Sequence, residues 1–158
     1  MKLLQILDSN ISYSKKIEQI CKLLPHEMLV EWSSDCAESV LYIYQEAYPE
    51  DSRPRQAIVA ARSGDKNAAA YAAAYAAANA AANAAAYAAA YAAYAAADAA
   101  NAAAYAAANA AYAAAYATKA TSYANKSEKE QEQLNLMFLR KQVEIFESGL
   151  YQAMQELE

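Results

Sequence analysis

Apolar residues recur every three or four positions at both ends of the chain, the period of a helix with one face against a core. Ile17, Ile20, Cys21 and Leu24 share such a face; Ser14 is placed to cap this helix and Pro25 to stop it. Leu29, Trp32, Cys36, Val40 and Ile43 form the stripe of a longer helix from His26 to about Ala47, closed by Pro49. Asp51 or Ser52 caps the next, which carries Pro54 in its first turn, turns Ile58 and Val59 inward and stops at Gly64. Near the other end, Ser127-Glu128-Lys129-Glu130 is a capping box. It opens a final helix whose seam is Leu139, Val143, Phe146, Leu150, Met154 and Leu157, with Gly149 as a weak point. No alternating strand pattern appears, although Met1 to Leu7 is too short to exclude one.

Between these ends the pattern changes. From Asn67 to Ala117, 37 of 51 residues are alanine, and the rest are Tyr, Asn and one Asp. Alanine is the strongest helix former and the smallest side chain with a Cβ, so the stretch specifies helix strongly and a core weakly. From Asn67 to Tyr91 the larger residues step by four, which drifts about 40° per step around a helix. Beyond Tyr91 the steps mix three and four, and Tyr91, Asp98, Tyr105, Tyr112 and Lys119 are heptad-spaced. One straight helix of 51 residues would reach about 75 Å, while a compact chain of this size is about 40 Å across. The tract is therefore expected to fold back, with corners near Asn79–Asn83 and Asp98–Asn101. Alanine faces can approach to about 8 Å, leaving tyrosines to fill gaps between helices. The expectation is an all-α fold, a compact multi-helix bundle with Ala/Tyr-rich central helices. We read 1–158 as one helical domain: N-terminal helices (1–64), an Ala/Tyr/Asn array (65–126) and a C-terminal helix (127–158).

A net charge of −5 disfavours nucleic-acid phosphate as a partner. No run of apolar residues suits a membrane span, and the N-terminus turns polar too quickly for a signal peptide. Cys21 and Cys36 lack metal-ligand spacing and read as two buried reduced thiols, with the cytoplasm as default compartment. Catalytic constellations are scarce. His26 is the sole histidine and follows a proline, suiting a surface or capping role. Two glycines, Gly64 and Gly149, exclude a glycine-rich phosphate loop. Asp35 and Glu38 share a helix face at a spacing open to acid–base or metal work, but a solvated or salt-bridged face explains them more simply. The residues indicate neither an enzyme nor a cofactor. An ice-binding surface is also a poor fit, because Thr occurs only at Thr118 and Thr121 and bulky Tyr interrupts every face.

The most specific stretch is Asp35-Cys36-Ala37-Glu38-Ser39-Val40-Leu41, followed by the run from Ala47-Tyr48-Pro49 through Arg53-Pro54-Arg55 to Ala60-Ala61-Arg62. Pro49 and Pro54 fix a corner between two helices. Asp51 caps, and Arg53, Arg55 and Arg62 are placed to reach toward Asp35, Glu38 or Glu46, since the planar guanidinium suits bidentate pairing with carboxylates. An ion-pair network clamping the corner and a charged surface kept for a partner both fit these residues. The run resembles the alanine-rich immunity proteins of bacterial polymorphic toxin systems, the family known as immunity protein five. The likeness is close from about Trp32 through Gly64 and continues through the tract by pattern only.

The resemblance implies a small cytoplasmic protein that occludes a cognate protein toxin. A Tyr- and Asn-rich face suits protein recognition, and an acidic body steers toward a basic toxin such as a nuclease. Asp35, Glu38, Asp51, Arg53, Arg55 and Arg62, with Tyr71, Tyr75, Tyr87 and Tyr91, are the candidate contacts. The alternative is a phage or mobile-element protein that blocks a defence effector or sequesters its nucleotide signal. In that case Arg53, Arg55, Arg62 and Lys66 meet phosphate and tract tyrosines stack on a base. Self-association through the thinly apolar tract is a third open possibility.

Overall fold

A computed structural model describes residues 2–64, 94–95, 98–99, 111–121 and 127–156, apart from the Met154 side chain. The regular elements among them are all helices, and the fold is all-α: α1 (Leu3–Asp8), α2 (Tyr13–Cys21), α3 (His26–Ala47), α4 (Arg53–Ser63), α5 (residues 111–121), α6 (Glu128–Glu147) and α7 (Leu150–Gln155). The N-terminal stretch too short to assign from sequence is a helix, α1. The long helix α3 packs against both α4 and α6, and α1 lies against α6 and α2. Arg140 pairs with Asp8 and the Leu3 N–H donates to Glu147, so α1 and α6 run antiparallel with a tie at each end.

The expected stripe of α3 is buried throughout: Leu29, Trp32, Cys36, Val40 and Ile43 all face the core. Ile17 and Ile20 from α2, Ile58 from α4, and Leu139 and Val143 from α6 meet it. Cys21 and Cys36 are free, buried thiols. One arm of the capping box forms as read, with Ser127 Oγ accepting from the Glu130 N–H at 3.3 Å.

Four readings need correction. The N-cap of α2 is Ser12 rather than Ser14, because the Ser12 carbonyl already accepts the first helical bond, from Lys16 N–H at 3.0 Å. Val59 points outward and is 61% exposed: Pro54, Ala57, Ile58 and Ala61 define the inner face of α4, and Val59 lies about 100° beyond Ile58. Gly149, at φ 77°, ends the stripe of α6 by turning the chain, so Leu150 is 58% exposed and does not continue the seam. Gly64, at φ 81°, caps α4 in the same left-handed conformation, as expected.

The fourth correction concerns the tract. In α5 the core-facing residues are Ala113, Ala114, Ala117 and Ala120, with Thr121 beside them. Tyr112 and Tyr94 are exposed, and Tyr116 is half-buried, its ring centroid 5.6 Å from that of Tyr94. Here alanine meets the core and tyrosine lines its edge, because only a methyl-sized side chain lets α5 approach its neighbours closely. Asp98 and Ala99 are helical; the rest of that proposed corner, the corner at Asn79–Asn83, and Tyr71, Tyr75, Tyr87, Tyr91 and Lys66 lie outside the described residues.

Candidate partner-binding corner

The chain leaves α3 at Tyr48, whose N–H still donates to the Tyr44 carbonyl at 2.9 Å, and turns through Pro49 into α4. Asp51 organises the turn. Its Oδ1 accepts from the Arg53 N–H at 3.1 Å, so the cap of α4 comes from Asp51, while the Ser52 side chain makes no capping bond. The same carboxylate takes a two-pronged guanidinium contact, Arg53 Nε at 2.8 Å and Nη2 at 2.6 Å. Tyr44 Oη donates to Asp51 Oδ2 at 2.6 Å. Arg53, opposed in part by burial and helped by Tyr44, holds the Asp51 carboxyl well below the usual carboxylate range. Burial pushes the Tyr44 phenol up, and Asp51 pushes it further.

One helix away, Arg62 gathers three carboxylates from successive turns of α3: Asp35 at 2.6 Å, Glu38 at 2.9 Å and Glu31 at 3.4 Å. Burial works against the guanidinium charge, and the Glu38 and Asp35 bonds outweigh it, leaving Arg62 above its ordinary value. The structure thus brings Arg62, Asp35 and Glu38 together as the motif suggested. It sends the other two arginines elsewhere. Arg53 turns back on Asp51, two residues away, and Arg55 approaches the Gln45 side chain at 3.4 Å; neither pairs with Asp35, Glu38 or Glu46. The short local loop lets Arg53 reach Asp51 without crossing to α3.

Sequence reasoning missed a second polar cluster, inside the molecule. Asn135 is fully buried on α6, and Gln131 nearly so. Asn135 Nδ2 donates to Tyr13 Oη at 2.9 Å and to the Ala114 carbonyl at 3.2 Å, and the Asn135 main-chain carbonyl accepts from Trp32 Nε1 at 2.9 Å. Gln131 Nε2 bridges Asn135 Oδ1 at 2.9 Å and Ser39 Oγ at 2.8 Å. The signal was present: Gln131 and Asn135 continue the Leu139–Val143 spacing backward by fours, which puts them on the core face.

Burial pushes the Cys21 thiol up to about 12 and Cys36 well above its ordinary value, so neither is a ready nucleophile. His26 is the first residue of α3 rather than its cap, and its Nε2 is enclosed without a hydrogen-bond partner among the described residues. Among the described residues no group of three or more His, Cys, Asp and Glu is placed to hold a metal ion, and no helix is long and apolar enough to cross a membrane.

Fold and site together define an all-α protein whose most specific sequence builds a rigid, ion-paired corner between two helices. The chain belongs to the family described as Imm-5 like putative immunity protein, whose sequence model matches residues 19–139, through both the corner and the alanine tract. No curated protein and no solved structure matches the chain.

Proposed function

We propose that this chain is an immunity protein that binds a cognate bacterial toxin in the cytoplasm and neutralises it by occlusion, without catalysis or a cofactor. The observation that carries the reading is the family match across residues 19–139. Composition supports it: a body of net charge −5 attracts a basic toxin and repels nucleic-acid phosphate. Within the corner the candidate residues divide by role. Asp51 and Arg53 satisfy each other and hold the turn, whereas Asp35, Glu38, Arg55 and Arg62 lie along the outer α3–α4 junction, where a partner can reach them.

The nucleotide-sequestering alternative draws less support. It needs cations free for phosphate, and Arg53 and Arg62 are already engaged by carboxylates. The test is co-expression with the toxin encoded beside this gene. A stable complex and restored growth of toxin-producing cells are expected; absence of both at equal expression refutes the reading.

A further inference from the structure

Resting on the immunity reading, we propose that the toxin-contacting surface is the seam between α3 and α4, centred on Tyr42 and Val59. Its partner is a basic protein face that presents an apolar side chain among lysines or arginines. The register comes from the side-chain pairs. Arg62 meets Asp35 and Glu38, while Arg55 meets Gln45, so the two helices run antiparallel along this seam. Tyr42 lies between Glu38 and Gln45, and Val59 lies between Arg55 and Arg62. The two side chains therefore flank the same stretch of seam, from opposite helices.

Both are exposed, Tyr42 by 41% and Val59 by 61%, over a floor of buried Leu41 and Ile58. A β-branched valine left outward on a helix gains nothing from packing there and costs helix propensity. An exposed aromatic and aliphatic pair within a charged rim is the usual arrangement of an interface centre.

Charge selects the partner. Glu27, Glu31, Asp35, Glu38 and Glu46 fall within about 100° of one another around α3. Among the described residues Arg62 pairs with Glu31, Asp35 and Glu38, Arg55 lies against Gln45, and Glu27 accepts from Tyr151 Oη; five carboxylates against these two guanidiniums leave an excess of three negative charges (5 − 2) on one side of a chain of net charge −5. A basic face is attracted to this rim and an acidic one is repelled. The rim is also ordered in advance, because Arg62 fixes three of its carboxylates and less side-chain freedom is lost on binding. Hollows lie at both ends of the seam to receive flanking side chains. One of about 280 Å³ includes His26, Glu31 and Arg62, and a shallower one of about 600 Å³ runs along residues 47–53.

The test is calorimetric titration of the full chain with the purified toxin encoded beside its gene, at low and moderate salt. V59D is expected to weaken binding by about 100-fold, Y42A by about 10-fold, and M137D, on an exposed residue of α6, by less than about threefold. Raising NaCl from about 50 to about 300 mM should weaken wild-type binding at least tenfold. Should V59D prove unfolded by its melting curve, Y42A decides. Binding by a folded V59D, or by Y42A in its place, within threefold of wild type overturns the surface and leaves the immunity reading intact. Salt-insensitive binding overturns the basic partner. Failure of the wild type to bind overturns the immunity reading and this surface with it.

Discussion

The α3–α4 corner and the junction at Asn135 are both built from polar side chains, yet they differ in charge, depth and reach along the chain. At the corner the groups are ionic and sit at the rim, with Asp51, Arg53, Asp35 and Arg62 side chains 13–31% exposed. Some of their partners are near in sequence, Arg53 two residues from Asp51 and Tyr44 seven, and none is farther than the 31 residues from Arg62 to Glu31. At the junction the groups are neutral amides with no exposure to speak of, and Asn135 bonds to residues 21, 103 and 122 positions away. Dehydration explains the division. Removing a charge from water costs more than one partner returns, so ionic clusters stay where solvent still helps. A neutral amide can be buried provided each of its donors and acceptors is met, and the Asn135 amide meets that condition through α2, α5 and Gln131, while its main-chain carbonyl takes the Trp32 indole of α3. The interior amides hold the helices in register, and the exterior charges shape a turn and a face.

That contrast sets the size of each expected effect. Trp32→Ala removes the largest fully buried side chain and the indole donor to Asn135, and should cost about 3–5 kcal/mol in urea denaturation. Asn135→Leu keeps the branched shape but adds bulk and removes a bonding partner from Tyr13, Gln131 and the Ala114 carbonyl, for a loss of about 2–4 kcal/mol. A loss below about 1 kcal/mol would show that the buried amides are incidental. Asp51→Ala, which removes a cap and the partner of Tyr44, should cost about 1–2 kcal/mol. Arg62→Ala should cost only about 0.5–1 kcal/mol, since its carboxylates can turn to water. If Arg62→Ala proves more costly than Asn135→Leu, the division of labour is wrong.

The smallest effect expected is on pH dependence. Asp98 is half-buried with Oδ2 enclosed and unpartnered among the described residues, and burial raises its pKa to about 6. Its folded pKa lies above the ordinary carboxylate value of about 3.9, so the folded state holds the proton more tightly. Its contribution therefore falls as pH rises from about 4 to about 6, and Asp98→Asn should remove that fall. Asp51 has the opposite sign: its depressed folded pKa adds stability above about pH 4 that is lost as pH drops further. Urea midpoints across about pH 2–7 for wild type and Asp98→Asn separate the two, because only the loss below about pH 4 persists in the variant.

The helices of the two ends were legible because their signals are local. Pro25, Pro49, Gly64 and the Ser127 capping box each act within a few residues. The corner was half legible. Proximity in sequence revealed that the arginines would find carboxylates, but not that Arg53 would take Asp51 while Arg62 took three residues of α3. Val59 was misplaced because Ile58 and Val59 are equally apolar and only the phase of α4 against α3 separates them. In α5 a nearly uniform alanine sequence says that helices approach closely without saying which face turns inward, so the tyrosines were placed inside when Tyr94 and Tyr112 lie outside. The junction was invisible because its partners are brought together only by the finished fold.

The most direct test of an interior that holds the fold and a corner that meets the partner is amide hydrogen exchange of the full chain, alone and with the toxin encoded beside its gene. New protection is expected within residues 27–64, strongest around Tyr42 and Val59, with the amides around Asn135 in α6 unchanged. Protection confined to α6 and α7, with residues 27–64 exchanging as in the free chain, would contradict this expectation.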